Sequence, residues 1–331
     1  MPNICILGGS GFVGRQLCAR LVAEGHEVTV LTRHHARHRE VLVLPGVRVI
    51  EGDVYNRAFL QAVFAGQGFP GPAERLNAVT RIAATAPRAD AVINLVGILN
   101  ERGHRGRGFQ RAHTELPAQV VEACHTAGVP RLLHMSALHA ARRAPSHYLR
   151  TKAMGEEIVQ RANAPDLRVT CFRPSVIFGA SDSFTNRFAG LLRLTPGVFP
   201  LACANARFQP VYVDDVVRAF IIALTHTATY GQAYNLCGPT VYSLRELVEY
   251  IGREIGRPVR VIPLPDVVAR LQAGVLEFVP GKPFSIDNYH SLQIDSVCRG
   301  DNLRMWRTVF GIAPESLESV VPRYLRPAES G

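Results

Sequence analysis

Asn3-Ile4-Cys5-Ile6-Leu7-Gly8-Gly9-Ser10-Gly11-Phe12-Val13-Gly14 decides how the rest of the chain is read. Asn3 to Leu7 is an apolar run without polar alternation, the pattern of a strand buried on both faces of a parallel sheet. The glycines that follow permit a tight turn, close approach of backbone to phosphate, and close packing of helix on strand. Val13, Leu17 and Leu21 then recur at helical spacing, Gly25 closes the helix, and Val28 to Leu31 forms a second strand. A helix N-terminus offers free N–H groups and a positive dipole end, so strand, turn and helix together fit a dinucleotide pyrophosphate. The turn satisfies both G-x-G-x-x-G (Gly9, Gly11, Gly14) and G-x-x-G-x-x-G (Gly8, Gly11, Gly14). Ser10, Phe12 and Val13 lie inside it, so all of Gly8 to Gly14 are candidate cofactor contacts.

Outward from this unit, apolar runs recur at Val47 to Ile50, Ala91 to Leu95, Arg131 to Met135 and Leu167 to Phe172. Helical segments at Glu115 to Ala127 and Tyr148 to Arg161 separate them, which predicts an α/β fold with a Rossmann-type, doubly wound parallel sheet. The connection from Gly66 to Pro87 is long and carries no assignable role. Past residue 180 the alternation loosens, with helices expected at Asp214 to Leu224 and after the capping box Ser243 to Glu246. We therefore expect a dinucleotide-binding domain over 1–180 and a smaller substrate or partner lobe over 181–331, interwoven with the first.

The chain has 331 residues, 47% hydrophobic and 19% charged, a globular composition without low-complexity tracts or repeats. No secretory leader is expected, because a strand begins at residue 3 without a basic and apolar preamble. The seven cysteines are scattered and contain no C-x-x-C pair, so reduced thiols and a cytoplasmic setting are expected, with no metal site. No stretch reaches the roughly 18 apolar residues of a membrane span. Pro263 to Val279 is apolar but contains Asp266, Arg270 and Glu277. It reads as an amphipathic helix packed on the protein's own core, or as one lying on a membrane surface, with the former preferred. The net charge of +10 suits anionic partners. Nucleic acid is not expected among them, since no recognition motif accompanies the arginines.

Four constellations carry chemistry. An acidic residue at the end of the second strand would mark NAD(H), whereas here Thr32 leads into Arg33-His34-His35-Ala36-Arg37-His38. Cations in place of a carboxylate favour the 2′-phosphate of NADP(H), with Arg33 as its partner and NAD(H) as the alternative. Asp53 and Val54 lie at the mouth of the third strand, and Asn94, Val96 and Gly97 at the mouth of the fourth, beside the expected cofactor path. Tyr148 and Lys152, four apart, share one helix face, where the ammonium lowers the phenol pKa and also reaches the nicotinamide ribose. Ser136, twelve residues earlier at a strand end, is placed to hold the same substrate oxygen. His134 and His139 flank it and read as packing or surface histidines. Pro174, in Arg173-Pro174-Ser175 at the sixth strand's end, is a further cofactor contact, with Asn186, Arg207 and Gln209 as weaker substrate-side candidates.

These residues resemble the short-chain dehydrogenase/reductase superfamily in its extended or atypical form. His134 to His139, Tyr148 to Glu156, Arg173 to Gly179, Asp182 to Phe188 and Gln209 to Val216 are similar to the nicotinamide-binding accessory subunit of respiratory complex I and its bacterial relatives. That resemblance implies a bound NADPH in a structural role, and a respiratory complex or membrane surface as partner, peripheral on the inner face of the cytoplasmic membrane. Ala137 departs from catalytic relatives, many of which place a second Ser or Thr there. Two functions thus stand side by side: a cofactor-stabilised accessory protein, and an active reductase or epimerase using Tyr148, Lys152 and Ser136.

Overall fold

Strands that are buried on both faces need helices on both sides, and the central sheet has seven strands, of which β1, β4 and β5 are buried throughout. The computed structural model describes residues 2–33, 44–68, 86–101, 103–195, 197–280 and 282–326. The strands β1 (Asn3–Leu7), β2 (Glu27–Thr32), β3 (Val47–Glu51), β4 (Ala91–Asn94), β5 (Arg131–Met135), β6 (Arg168–Pro174) and β11 (Gln232–Leu236) are ordered β11-β6-β5-β4-β1-β2-β3. Every pairing among them is parallel. The order reverses between β1 and β4, which opens a crevice at the carboxyl ends of those strands, where ligands bind in sheets of this type.

Helices α1 (Phe12–Ala23) and α6 (Val213–Thr225) cover one face through Leu17, Leu21, Val217 and Phe220, joined by the buried Trp306. Helices α2 (Arg57–Phe64), α3 (Leu116–Ala127) and α4 (His147–Arg161) cover the other through Phe59, Leu116, Val120 and Val159. Both α6 and β11 come from beyond residue 180, so the second half of the chain completes the sheet and its cover. A third core, around Phe178, Phe208, Leu247 and Ile251, lies beneath helices α5 (Thr185–Arg193) and α7 (Leu244–Glu254). Three short strand pairs edge this lobe: β7 (Ile177–Phe178) with β10 (Val211–Tyr212), β8 (Val198–Leu201) with β13 (Arg260–Pro263), and β9 (Arg207–Phe208) with β12 (Tyr242–Ser243). Ser243 and Glu246 form the expected capping box at the start of α7.

Two expectations are corrected. Cys237 and Cys298 form a disulfide, whereas reduced thiols were expected throughout; the other five cysteines are free. A separation of 61 residues gives no pairing signal in sequence. The fold creates it by docking residues 296–306 on the end of β11, where Asn302 Nδ2 and Trp306 Nε1 both donate to the Cys237 carbonyl at 2.7 Å. The second correction concerns the amphipathic segment. Helix α8 (Asp266–Leu276) buries only Ala269 and Ala273, while Val267, Val268, Leu271 and Val275 face outward. Most of the Gly66 to Pro87 connection, residues 69–85, lies outside the described residues, as do His34, His35, Arg37 and His38. Among the described residues no helix is long and apolar enough to cross a membrane, and no cluster of metal-ligating side chains occurs.

Helix α4 packs directly on a π-helical turn, Arg111–Glu115, that leads into α3. A Cβ on Gly155 would stand 1.8 Å from the His113 carbonyl oxygen, so this glycine sets how closely α4 approaches. Gly155→Ala is expected to lower stability by roughly 1–3 kcal/mol, the usual range for overpacking. Urea unfolding checks this, and a variant as stable as the parent would show that α4 is free to shift.

Candidate cofactor and catalytic site

The glycine turn is shaped by contacts that no side chain tolerates. Gly8 has φ +82° and a Cβ there would lie 3.0 Å from the Leu95 carbonyl carbon. A Cβ on Gly14 would lie 2.3 Å from the Gly8 oxygen, so α1 runs hard against the end of β1. Gly11 caps α1 without a side chain, and its own N–H donates to Gly8 O at 3.0 Å. No side-chain oxygen therefore competes for the first-turn N–H groups of α1, which suits an anionic ligand. Phe12 and Val13 turn away to pack on the core beneath, which makes Ser10 and the backbone the polar part of the turn.

At the mouths of β2 and β3, Arg33 is exposed immediately after Thr32. Asp53 Oδ1 accepts from Tyr55 N at 3.1 Å, so one of its carboxylate oxygens serves the local turn. Val54 is buried in the core. The Arg111 guanidinium lies 4.0 Å over the Tyr55 ring. Burial raises the Tyr55 phenol pKa, and the charges of Arg33 and Arg111 oppose that rise, which places both cations beside this ring. Sequence reading missed Arg111, because a cation in the middle of a helical run carries no signal of what it stacks on.

The mouths of β4 and β5 hold a cluster of buried polar groups. Asn94 pairs in register with His134 across the sheet, and Ser136 follows on the same face. Asn94 Oδ1 accepts from Val96 N at 3.1 Å, but its Nδ2, both ring nitrogens of His134 and the Ser136 hydroxyl are buried without a partner among the described residues. Buried polar atoms are normally paired, so four orphans in one place mark a site built for polar groups of a ligand. Lys152, also buried, donates from Nζ to the Met135 carbonyl at 3.0 Å. Its pKa is pulled down to about 8 by burial, against the favourable charge of Glu156. A Cβ on residue 97 would sit 3.1 Å from Lys152 Nζ, so Gly97 leaves room for the ammonium. Tyr148 lies one turn before Lys152 and is half-buried; its phenol is pushed up to about 12 by burial, which corrects the expectation that the ammonium would lower it.

His113 is the principal residue that sequence reading missed. Its Nε2 accepts from Ile98 N at 3.0 Å, so the proton sits on Nδ1, which faces Thr151 Oγ1 at 3.1 Å. The ring stacks edge-on against Tyr148, with centroids 5.4 Å apart. His113 thereby ties the loop after β4 to the Tyr148 helix. Burial, with the charges of Lys152 and His134, lowers its pKa to about 2. Burial and Lys152 lower that of His134 to about 3. Both histidines are neutral, and His134 is a buried member of this cluster.

The helix bearing Tyr148 is capped from the far lobe. Asp287, in α9 (Ile286–Ser291), accepts from His147 N at 2.6 Å and Tyr148 N at 3.0 Å, alongside the local cap Ser146. The remaining candidates hold the architecture. Arg173 forms a salt bridge with Glu156. Pro174 pairs with Leu236 at the end of β6, and its carbonyl accepts from Leu138 N. Ser175 Oγ bonds Ser296, and Gln209 bridges Gly238 O and Cys298 N. Asn186 Nδ2 donates to Ala180 O and Asp182 O near the start of α5. His139 Nε2 lies 2.7 Å from Val297 O.

A sheet that reverses its order beside an uncapped glycine turn, with tyrosine and lysine one helical turn apart at the strand mouths, defines a dinucleotide-binding protein of the extended short-chain dehydrogenase/reductase type. The chain belongs to the NAD dependent epimerase/dehydratase family, which it matches over residues 4–70 and 73–237. It is 29% identical over 300 residues to the NADH dehydrogenase [ubiquinone] 1 alpha subcomplex subunit 9, mitochondrial, of Arabidopsis thaliana, covering 88% of this chain and 68% of that one. It is 27% identical to the ceramide reductase of Caulobacter vibrioides, covering 80% and 74%. It is 26% identical to the 2-alkyl-3-oxoalkanoate reductase of Stenotrophomonas maltophilia, covering 77% and 76%. Among solved structures, Pal from Bacillus thuringiensis superposes with a TM-score of 0.72 at 18% identity, covering 98% and 97%.

The two neutral histidines give stability a definite pH dependence. In the unfolded chain they take up protons near the usual 6.5, whereas the folded state resists until about 3 or below. The unfolded state therefore binds more protons as pH falls below 6.5, and folding stability drops, by up to ~1.4 kcal/mol per pH unit for each histidine. Denaturant unfolding from pH 7.5 to 5 is expected to show this loss, with a shallower slope in His134→Gln. Equal slopes in parent and variant would mean that His134 is already charged or already exposed.

Proposed function

We propose that the chain binds NADP(H) and reduces a ketone carried on a long-chain, amphiphilic molecule. The observation that carries this reading is the buried Lys152, fixed on the Met135 carbonyl one turn from Tyr148, together with the buried, unpartnered Ser136 hydroxyl, His134 ring nitrogens and Asn94 Nδ2 at the same strand mouths. Gly8 to Gly14 would receive the pyrophosphate, Arg33 the 2′-phosphate, Asp53 and Val54 the adenosine end, and Asn94, Val96, Gly97, Lys152 and Pro174 the nicotinamide end. The bound nicotinamide supplies the hydride. Tyr148 gives its phenol proton to the carbonyl oxygen, Lys152 stabilises the phenolate left behind, and the Ser136 hydroxyl orients that oxygen. Two relatives are named as reductases, one of ceramide and one of 2-alkyl-3-oxoalkanoates, and both names describe molecules with apolar chains.

A second reading has its own support. Relatives from Arabidopsis thaliana, Mus musculus and Neurospora crassa are named as respiratory NADH dehydrogenase or NADH-ubiquinone oxidoreductase subunits. In that reading the dinucleotide is structural and the protein attaches to a respiratory complex at the inner face of the cytoplasmic membrane.

NADPH is expected to bind at least tenfold more tightly than NADH, since charge-assisted bonds to a phosphate contribute roughly 1.5–3 kcal/mol. Fluorescence titration with both cofactors checks it, and Arg33→Asp should erase the difference; equal affinities in the parent would count against NADP(H).

Tyr148→Phe keeps the ring but removes the proton donor. NADPH should still bind, while ketone-dependent NADPH oxidation falls by roughly two to four orders of magnitude. A Phe variant with full activity would remove Tyr148 from the chemistry. A parent protein that retains NADPH and never oxidises it with long-chain 3-oxo compounds would favour the respiratory reading.

A further inference from the structure

Soluble proteins scatter their exposed apolar side chains singly, and this one does not. Of the eleven large apolar side chains exposed among the described residues, ten fall between positions 191 and 279. They lie on three adjoining pieces of the C-terminal lobe: the end of α5, the paired strands β8 and β13, and the helix α8 that follows β13 directly. Several are almost bare, with Leu194 87%, Val267 80%, Phe278 77% and Leu271 67% exposed. The eleventh, Leu99, belongs to a loop tied to the same lobe, since its carbonyl accepts from Asn288 Nδ2.

Helix α8 is inverted relative to an ordinary surface helix. Its small residues Ala269 and Ala273 face the protein, packed with Ala202 and Tyr289, and its large residues face out. This arrangement secures the helix to the lobe while leaving its bulky side for something else.

The charges around the ridge decide what that is. Arg193, Arg260 and Arg270 are exposed there, and none forms a salt bridge with a carboxylate among the described residues. The segment 260–279 has only two acids, and both are engaged by the protein. Asp266 accepts from the Tyr289 hydroxyl at 2.6 Å, and Glu277 accepts from His104 Nδ1 at 2.7 Å and from Ile286 N at 3.4 Å. Uncompensated arginines around an apolar ridge match a surface that is apolar within and anionic at its rim, which is the description of an acidic bilayer.

We propose that this ridge docks on an anionic lipid bilayer, with Leu194, Val267, Leu271, Val275 and Phe278 entering the acyl boundary and Arg193, Arg260 and Arg270 meeting the headgroups. The docked lobe is joined to the cofactor site through Glu277, which bonds Ile286 N, and through its neighbour Asp287, which caps the Tyr148 helix. The inference stands apart from the proposed reduction, because it requires neither turnover nor a particular cofactor.

The test is flotation of the full chain with vesicles of phosphatidylcholine alone and with about one third phosphatidylglycerol. Binding is expected to the anionic vesicles and to be weaker at high salt, since exposed charges are then screened. The double change Leu271→Asp and Val275→Asp removes outward side chains only, so it should fold and bind NADPH as the parent does, while vesicle binding falls by about tenfold or more. Changing Arg193, Arg260 and Arg270 to Ala should abolish the preference for anionic vesicles. No flotation of the parent at low salt, or equal flotation of the Asp variant, would overturn the proposal. A parent that is dimeric in solution and becomes monomeric with the Asp changes, without vesicle binding, would overturn it in favour of a second copy. If NADPH binding fails while flotation holds, the cofactor reading falls and this inference remains.

Discussion

A lysine ammonium removed from water is costly unless oxygen atoms surround it, and among the described residues the buried Lys152 has one hydrogen-bond acceptor, the Met135 carbonyl. Much of the site architecture bears on that placement. Gly97 must lack a side chain to leave the ammonium room, and Gly155 must lack one so that α4 approaches the turn bearing His113. His113 must stay neutral to accept from Ile98 N, and the nearby positive charge helps to keep it so. Burial pulls the Lys152 pKa down to about 8, against the favourable charge of Glu156. A ribose hydroxyl and a tyrosinate are partners that would complete its coordination.

Much of this was legible in sequence because it depends on local spacing. The glycine turn and the Tyr148–Lys152 pair depend on residues a few positions apart, and the six strands up to β6 announce themselves as apolar runs. What stayed hidden is long-range. His113 looks like any polar residue in a helix until β4 ends beside it. The Cys237–Cys298 pair exists only because the chain returns to the end of β11. The salt bridge between Arg173 and Glu156 is another such pairing, made between a strand end and a helix. Helix α8 misled for a different reason: its hydrophobic pattern is real, but periodicity cannot say which side of a helix faces the protein when alanines are able to fill the inner side.

The relatives divide along the same line as the site. Several carry respiratory subunit names and two carry reductase names. The proposed tyrosine, lysine and serine would serve either use, because a site that grips a dinucleotide tightly enough to catalyse also grips it tightly enough to stabilise a fold.

The cap that Asp287 places on the Tyr148 helix has a consequence for how such a chain can evolve. An N-terminal cap normally comes from the residue next door and travels with its helix when genes are cut and rejoined. Here two of the N–H groups at the head of the helix are satisfied from 140 and 139 positions away. A nucleotide-binding half without this lobe, or with a foreign lobe in its place, would lack the carboxylate that now accepts from these two N–H groups. Separating the two halves therefore removes part of the cap of the Tyr148 helix and leaves Ser146 to serve Leu149 N.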